Sequence, residues 1–403
     1  MMFWMLVACH GGGQANGDAP TWNDDVSPIV ERSCVGCHHP GGVGPVDFTT
    51  YASAAPLATM MASYVADGLM PPPAMDPTCR DYVGSERMTL TDDERQILAD
   101  WADGGAPEGD TSGTLTWTDH TLDSADVELR LPVAHSVNPS DDGNEYHCQV
   151  LENPFTEPTY VTGFDVLVDQ PNVVHHTVLA IDTSGDAGVW TGEDLSDGWD
   201  CHAKIAESDW NMLHAWAPGM EPTVFEDGLG LLINPGDQLV LQMHYFGGTD
   251  DIGTVDQSGY RFTTASSVDT EIHMAPVGPT GFTLPAGEVT TVDGELRNDY
   301  PVNVTVYGVF PHMHLLATGY EAVIESDSGT ECLARADAWD FGHQATYVYE
   351  EPAVFSQGET LVGGCRYDNT AGNPNQMNDP VEDVTFGEGT DEEMCFFLFY
   401  FSY

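Results

Sequence analysis

The chain has 403 residues, which is enough for two or three domains with separate cores. Its 65 acidic residues outnumber its 10 basic residues, so the formal net charge is −55. Such a surface cannot neutralise phosphates, which excludes nucleic acid as a partner and indicates a heavily solvated exterior.

Residues 1–19 predict an export signal followed by a tether. A short apolar run ends in LVAC and leads into a Gly/Asn/Asp-rich segment. The pattern resembles a bacterial lipoprotein signal with Cys9 as the lipidated residue, although no basic residue precedes the apolar run. No other segment approaches the roughly 20 apolar residues that a membrane span needs. We therefore expect an exported protein, periplasmic or on the surface of a Gram-negative-type bacterium, that reaches the membrane only through a lipid anchor at Cys9.

Residues 20–110 predict a small all-α domain with three helical segments. The third segment, TLTDDERQILADWADGG, has Thr91 as a plausible N-cap, acidic residues in its first turn and glycines at its end. Trp101 on this segment is expected to be a core residue. Residues 106–114, APEGDTSGT, have the composition of a linker.

The segment CVGCH in this domain is the C-x-x-C-H signature of covalent haem c attachment. Cys34 and Cys37 would form thioethers with the haem, and His38 would bind the iron. A C-x-x-C pair also occurs in redox sites and zinc sites, but the following histidine and the flanking helices favour haem. His39 is expected to face solvent.

A cytochrome needs a second axial ligand, and methionine is the ligand that raises the potential for electron transfer. The segment DGLMPPP places Met70 before a rigid proline run and resembles the axial-methionine loop of small class I cytochromes c. Met75 is the alternative ligand. Met60 and Met61 are expected to be core residues of a helix.

From about residue 115 the pattern changes to short runs rich in Val, Thr, Tyr and Phe, separated by Gly, Pro, Asn and Asp. This pattern is typical of antiparallel β-sandwiches. The length predicts two such domains, 115–265 and 268–403, with a join near 263–272. The fold class is therefore multidomain, a small all-α cytochrome c domain followed by two all-β sandwich domains.

Two sets of metal-ligating residue types occur in the β region. The first contains three histidines and the second contains two histidines and a methionine: His175, His176 and His244, then His312, His314 and Met394. His312 and His314 are two residues apart and would share one face of a strand. Adjacent histidines such as His175 and His176 can bind one metal only at a strand end or a bulge. Three imidazoles suit copper or zinc, whereas a thioether favours Cu(I).

With these motifs in order, the chain resembles the copper type II, ascorbate-dependent monooxygenases, the group of peptidylglycine α-hydroxylating monooxygenase and dopamine β-monooxygenase. The resemblance spans roughly residues 120–403 and rests on HH, AWAPGMEPTVFEDGLGLLI, LVLQMHY, HMHLLATG and DEEMC. It implies two jelly-roll-like domains, each with one copper, that face each other across a solvent-filled cleft. The first ligand set matches the electron-supplying copper, and the second matches the copper where dioxygen reacts and the C–H bond is cleaved.

The resemblance also implies two disulfides, Cys148–Cys201 and Cys365–Cys395. Cys79 and Cys332 are left over, and the sequence leaves their state open. Four further histidines are expected to be ordinary surface or core residues: His202, His214, His273 and His343. Of these, His214 lies in the AWA segment beside the expected cleft. Trp216 is also expected to be a core residue.

The expected activity is hydroxylation of a C–H bond in a small organic substrate, with O₂ as oxidant. Ascorbate or another reductant would supply electrons, and the haem domain suggests a route from a periplasmic electron donor. Two alternatives stay open: a non-catalytic haem/copper electron-transfer lipoprotein, and a haem-coupled oxidase or reductase. The polar residues that grip a substrate carboxylate in peptidylglycine enzymes are replaced by Phe310, Phe396 and Leu398, so a glycine-extended peptide is not the expected substrate.

Overall fold

The computed structural model describes residues 19–110, 113–117, 122, 124–140, 143–183, 187, 197–201 and 210–403. The predicted lipidation residue, Cys9, lies outside these ranges. By internal packing the chain divides into a first unit, Met1–Met70 with Leu90–Trp117, and a second unit, Pro71–Thr89 with Thr118–Tyr403. The architecture consists mostly of sandwich-like β-sheets with few helices. No helix in the described part of the chain is long and apolar enough to cross a membrane.

The α-helices in the described part of the chain are short and end before residue 104. They are α1 (Ser27–Ser33), α2 (Tyr51–Ala54), α3 (Ala58–Ala66), α4 (Ser85–Met88) and α5 (Asp92–Asp103), with a π-helical turn at Trp22–Val26 and a 3₁₀ turn at Ala55–Leu57.

A capping box begins α5. The Thr91 hydroxyl accepts a hydrogen bond from the N–H of Glu94, and the Glu94 carboxylate accepts one from the N–H of Thr91. The predicted N-cap is therefore confirmed, and two backbone donors of the first turn are satisfied. Trp22 and Trp101 are fully buried with their ring centroids 5.6 Å apart, and they centre the core of the first unit.

The first sandwich comprises a sheet in the order β1-β12-β4-β9-β13, with β8 on β4, a facing sheet in the order β6-β3-β10-β5-β7, and the pair β2-β11. The strands are β1 (Val127–Arg130), β2 (His135–Ser136), β3 (Asn144–Leu151), β4 (Thr159–Leu167), β5 (Val174–Asp182), β6 (Trp199–Asp200), β7 (Asn211–Trp216), β8 (Thr223–Val224), β9 (Leu229–Ile233), β10 (Gln238–Phe246), β11 (Val255–Asp256), β12 (Gly259–Ala265) and β13 (Thr270–Glu271). A 3₁₀ turn, Thr249–Asp251, follows β10.

The second sandwich comprises the sheets β14-β23-β17-β20 and β16-β21-β18-β19, with the short pair β15-β22. Its strands are β14 (His273–Val277), β15 (Thr283–Leu284), β16 (Val289–Arg297), β17 (Val304–His312), β18 (Ala317–Ser326), β19 (Gly329–Ala336), β20 (Tyr347–Phe355), β21 (Thr360–Asp368), β22 (Val384–Thr385) and β23 (Phe396–Ser402). Burial alternates along β21, as expected for a strand with one face on a core.

The chain passes from one sandwich to the other at residue 272. Strand β13 pairs with β9 of the first sandwich, and β14 pairs with β23 of the second. The two sandwiches also share a core, because Phe310, Leu398 and Tyr400 of the second pack into the apolar cluster of the first. This shared core fixes the strand ends that carry the histidines of the two predicted ligand sets.

The segment Pro71–Thr89 belongs to the second unit, although the sequence analysis included it in the helical domain. Its residue Cys79 forms a disulfide with Cys332 on β19. Next to it, the Arg80 guanidinium pairs with Glu331 and also donates to the carbonyl of Glu351, 2.9 Å away. The segment therefore attaches covalently and by ion pairing to the second sandwich.

Three disulfides are present in the described part of the chain. Cys148–Cys201 and Cys365–Cys395 are the two pairs that the resemblance implied, and Cys79–Cys332 is the pair that the sequence left open. The sequence separation of 253 residues explains why local pattern gave no signal for the last one.

Candidate metal centres

The first candidate centre lies where β5 and β10 pair. His176 is the cross-strand partner of His244, and the register then skips His175, so that Tyr245 pairs with Val174. This irregularity lets two adjacent histidines turn toward the same point, as the sequence analysis required. The Nδ1 atom of His176 lies 3.2 Å from Nδ1 of His175 and 3.0 Å from Nδ1 of His244. Their three ligand atoms all lie within 4.8 Å of one another.

Strand β3 fixes which nitrogen of His244 is available. Nε2 of His244 donates to the Asn144 side-chain oxygen at 2.9 Å, which leaves Nδ1 with a lone pair. The Tyr146 ring stacks on the His244 ring, with centroids 4.2 Å apart and planes 2° apart. The hydrogen bond and the stacking together hold the imidazole with its lone pair toward His176.

The second candidate centre lies at the end of β17. His312 is the last residue of the strand, and His314 follows it in the connection to β18, with ring centroids 5.2 Å apart. Nδ1 of His312 donates to the Gln344 side-chain oxygen at 2.7 Å, and Nδ1 of His314 donates to the Glu392 carbonyl at 3.0 Å. Both histidines therefore offer Nε2 to a ligand, in contrast to the Nδ1 atoms of the first centre.

Met394, the third predicted ligand of this centre, is buried two residues before the start of β23. Its neighbour Glu393 is fully buried, and the Glu393 carboxylate accepts N–H groups of His314 at 2.9 Å, Leu316 at 2.6 Å and Met394 at 3.3 Å. The Tyr367 hydroxyl donates to the Met394 carbonyl at 2.5 Å. The backbone segments of His314 and Met394 are thereby joined through one carboxylate.

The two centres are in contact rather than separated by solvent. The ring centroids of His176 and His312 lie 5.9 Å apart, and the Phe341 ring stacks on His175 at 4.7 Å. The resemblance implied a solvent-filled cleft between the sandwiches, and the structure differs from that expectation.

Hydrogen bonds between the sandwiches explain the contact. The Thr390 hydroxyl donates to the Asn144 side-chain oxygen at 2.6 Å, and the Tyr146 hydroxyl donates to the Glu388 carbonyl at 2.6 Å. Both residues of the first sandwich also touch His244. The interface between the sandwiches therefore runs through the neighbours of a candidate ligand.

Burial keeps these imidazoles neutral. It lowers the pKa of His175 to about 4 and the pKa of His314 to about 3, and it holds the pKa of His176 well below its ordinary value. The pKa of His312 is also lowered by burial. At neutral pH the rings are uncharged, so their lone pairs are available to a cation.

Other histidines stay apart from both centres. His214 is buried against Phe164, with the Thr223 hydroxyl 3.0 Å from its Nε2. His273 stacks on Tyr403 at 5.1 Å. His202 lies outside the described residues. His343 lies in the connection between β19 and β20.

Several residues around the centres were not identified from the sequence as contributors: Asn144, Tyr146, Phe341, Gln344 and Glu393. Glu393 lies within the recognised DEEMC motif, which could have indicated its importance. The other four have no local signal, because they reach the histidines from strands and loops distant in sequence.

The C-x-x-C-H segment lies at the end of α1 in the first unit. Cys34 and Cys37 are thiols rather than members of a disulfide, and burial raises the pKa of Cys34 to about 12. The Nδ1 atom of His38 lies 3.2 Å from the Val46 carbonyl, which leaves Nε2 available. A Cβ on Gly44 would lie 2.4 Å from His38 Nδ1, so only glycine fits beside this ring. His39 stacks on Trp117 at 4.8 Å.

The candidate axial methionines fall in different units. Met70 is partly buried against the apolar core of the first unit. Met75 is fully buried in the core of the second sandwich with Tyr82 and Tyr347. Met61 is buried as predicted, whereas Met60 is 38% exposed, so the core prediction is wrong for Met60.

The three apolar residues at the predicted substrate positions lie on paired strands. Phe310 pairs with Leu398, and His312 pairs with Phe396, across β17 and β23. Phe310 and Leu398 are buried, and the Phe310 ring is stacked with its centroid 6.2 Å from that of His312. Trp216, a predicted core residue, is partly buried against the core of the first sandwich.

Residues 288–403 match the family described as copper type II ascorbate-dependent monooxygenase, C-terminal domain. This range contains His312, His314 and Met394, and the match supports copper-dependent monooxygenase chemistry of a family that uses copper and ascorbate. It also supports an oxidoreductase that acts on a small molecule with O₂. No curated protein matches the chain.

Solved structures resemble the chain only weakly. A Paenibacillus xanthan lyase is 13% identical, with a TM-score of 0.18, over 74% of this chain and 29% of the lyase. The VP2 subviral particle of infectious bursal disease virus is 9% identical, with a TM-score of 0.18, over 70% of this chain and 71% of VP2. The chain thus spans less than a third of the lyase. At these TM-scores neither likeness bears on function.

We predict that the copper-free protein loses stability between pH 5 and pH 9 through Glu393. Burial raises the pKa of Glu393 to about 8, while the three N–H donors lower it, so the fold disfavours the ionised carboxylate and the free energy of unfolding falls as the pH rises toward that value. Glu393→Gln has no proton to lose at this position, so its free energy of unfolding should fall less over the same pH range.

Denaturant unfolding in the presence of a chelator measures this loss. Glu325→Gln is the matched control, because Glu325 is exposed on β18 of the same sandwich. The control should change the free energy of unfolding by less than about 0.5 kcal/mol. A fall in stability between pH 5 and pH 9 that is the same in Glu393→Gln and in wild type would contradict this role of Glu393.

Proposed function

We propose that the chain is a copper-dependent monooxygenase that hydroxylates a C–H bond of a small organic substrate with O₂. The observation that carries this proposal is the pair of unlike donor sets, each arranged by its own hydrogen bonds. Three Nδ1 atoms converge in the first centre. In the second, His312 and His314 offer Nε2, and the backbone of the buried Met394 is joined to that of His314 through the Glu393 carboxylate. The family match over residues 288–403 supports the same chemistry.

The residues present fit copper. Neutral imidazoles suit copper and zinc, whereas a thioether is a soft ligand that favours Cu(I) and is a poor ligand for zinc. Met394 follows Glu393, which shares its carboxylate with the His314 backbone, so the thioether residue and the imidazole are held as one set. Copper would supply one-electron redox chemistry and activation of dioxygen at these positions.

The two ligand sets have different roles in the proposed reaction. Hydroxylation of one C–H bond by O₂ consumes two electrons and two protons and yields one water. The position where the substrate reacts is defined by His312, His314 and Met394. The source of the second electron is defined by His175, His176 and His244. Asn144, Gln344 and the Glu392 carbonyl fix which ring nitrogen of three ligands carries its proton.

Metal analysis tests this assignment most directly. Wild type should bind two copper ions per chain and couple oxygen uptake to substrate hydroxylation. Met394→Ala should abolish hydroxylation and weaken copper binding at the second centre, while copper at His175, His176 and His244 is retained.

Met377→Ala is the matched control, because Met377 is 50% exposed in the same sandwich. It should keep both coppers and full activity. Full activity in Met394→Ala would contradict the monooxygenase proposal. Two coppers without substrate-coupled oxygen uptake would favour the electron-transfer alternative.

The proposed substrate is apolar or aromatic rather than a peptide that ends in a free carboxylate. Phe310, Phe396 and Leu398 present three apolar side chains beside His312, where a carboxylate would need an arginine or amide partner. Burying an unpaired carboxylate there would cost several kcal/mol.

A turnover screen tests the substrate class. Neutral aromatic molecules should be hydroxylated, and a glycine-extended peptide should show no turnover above background. Robust turnover of the peptide would overturn this part of the proposal and leave the copper assignment in place.

We also propose that the first unit binds one haem c. Cys34 and Cys37 would form the two thioethers, His38 offers Nε2 to the iron, and Met70 is the second axial ligand. The orientation of His38 by Val46 and the apolar contacts of Met70 support this assignment. The haem would then supply electrons from a periplasmic donor in place of ascorbate.

Paired methionine variants test the axial ligand. Met70→Ala should abolish the weak sulfur-to-iron absorption of the oxidised haem and lower its potential. Met75→Ala should leave both unchanged and instead destabilise the protein by about 2–5 kcal/mol, because Met75 is fully buried in the second sandwich. The reverse pattern would show that Met75 is the ligand.

An exported location fits the three disulfides, which are typical of oxidising compartments. We propose a periplasmic or cell-surface protein held to the membrane through lipid at Cys9.

A further inference from the structure

The segment Pro71–Thr89, called the strap below, begins directly after Met70, the proposed axial ligand of the haem. On the N-terminal side of this junction, the Tyr64 carbonyl of α3 accepts hydrogen bonds from the N–H groups of Leu69 at 2.9 Å and Met70 at 3.2 Å. On the other side, residues 71–73 are prolines, and each pyrrolidine ring fixes its backbone φ angle. The backbone therefore has little freedom on either side of Met70.

Directly after its prolines the strap is fixed to the second sandwich. Met75 is fully buried in the apolar cluster of that sandwich, and its N–H donates to the Tyr347 hydroxyl. The Asp76 N–H donates to the Arg335 carbonyl at 2.7 Å, and the Arg335 guanidinium donates to the Asp76 carboxylate at 2.5 Å. A core side chain and an ion pair thus hold the strap on β19 and β20.

Two further attachments hold the rest of the strap. The disulfide Cys79–Cys332 joins it to β19. Beyond the disulfide, the Val83 N–H donates to the Val348 carbonyl at 2.9 Å. Because β20 is the terminal strand of its sheet, this hydrogen bond covers part of an edge that would otherwise expose its backbone groups. The segment that follows the proposed iron ligand is therefore built into a sandwich rather than into the helical core.

We propose that the strap is a positioning element for the haem: by fixing the chain that follows Met70, it keeps the methionine thioether on the iron. A loop that is free beyond its ligand has many conformations in which the ligand is away from the metal, and this conformational entropy favours dissociation. The attachments of the strap exclude most of those conformations. Cys79 and Cys332 act through Met70 and are positioning residues. This inference rests on the proposed haem site, because it requires iron bound by Met70.

The competing explanation is that the disulfide Cys79–Cys332 only stabilises the second sandwich. In that case its removal lowers the free energy of unfolding and leaves the binding of Met70 to the iron unchanged. The two explanations therefore differ in how readily the axial methionine is replaced by an added ligand in the folded protein.

The experiment uses the full chain with its haem oxidised and compares wild type with the double variant Cys79→Ser/Cys332→Ser. Imidazole is the probe, because it can bind the ferric iron only after the methionine has left. The double variant should bind imidazole with an affinity roughly tenfold or more above that of wild type, since a disulfide restricts a loose chain by at least this factor. Its sulfur-to-iron absorption should also weaken.

Cys148→Ser/Cys201→Ser is the matched control, because it removes a disulfide of the first sandwich and leaves the strap attached. It should keep the wild-type imidazole affinity. Met75→Ala keeps the disulfide and the ion pair, so the strap stays attached in that variant as well. An unchanged imidazole affinity in the folded Cys79→Ser/Cys332→Ser variant would overturn the inference and leave the proposed haem site standing.

Asp76→Asn decides the question if the double serine variant does not fold. It weakens the ion pair with Arg335 and keeps the disulfide, so the imidazole affinity should rise by about twofold to fivefold, as for a partly exposed ion pair. Asp299→Asn, which removes the exposed pair with Arg297 in the same sandwich, is its control. Equal affinities in these two variants would overturn the inference. Wild type without haem, or with Met75 as the iron ligand, would overturn the inference together with the proposed haem site.

Discussion

The second centre depends on a single buried carboxylate that joins two distant parts of the chain. Glu393 accepts N–H groups from His314 and Leu316 on one side and from Met394 on the other. His314 and Leu316 lie in a connection between strands, where no ladder partner is available to their backbone N–H groups. Removing these donors from water without an acceptor would be costly. The requirement to satisfy them joins the backbone at Met394 to the backbone at His314.

The two centres differ in which ring nitrogen faces the ligand position. In the first, the Asn144 side-chain oxygen accepts a hydrogen bond from Nε2 of His244. In the second, the Gln344 side-chain oxygen and the Glu392 carbonyl accept hydrogen bonds from Nδ1 of His312 and of His314. Burial keeps the rings neutral, so the donor atoms are ready without loss of a proton at neutral pH. Each metal position is thus defined by partners outside the ligand set, and these partners lie on other strands and loops.

The contact between the centres follows from the way the sandwiches share a core. Phe310, Leu398 and Tyr400 project from the second sandwich into the apolar cluster of the first. The strand ends that carry the histidines are thereby brought together, and the Phe341 ring, from the connection between β19 and β20, lies against His175 and His314. The expectation of a solvent-filled cleft came from resemblance, which does not report how two domains of this chain pack.

The sequence alone determined the features that local pattern encodes. Alternation with turn residues predicted the sandwich-like sheets, and adjacent histidines required the irregular pairing seen at His175. The motifs indicated the ligand sets, and the family resemblance that they carry implied two disulfides. Only the tertiary structure revealed Asn144, Gln344 and Phe341 beside the histidines, the pairing of Cys79 with Cys332, and the packing of Met75 against the second sandwich. The period of a strand reports which residues share a face, but it does not report which distant strand or loop will lie opposite that face. Those contacts are decided by the combined burial of all the strands, and so they appear only when the whole chain is folded.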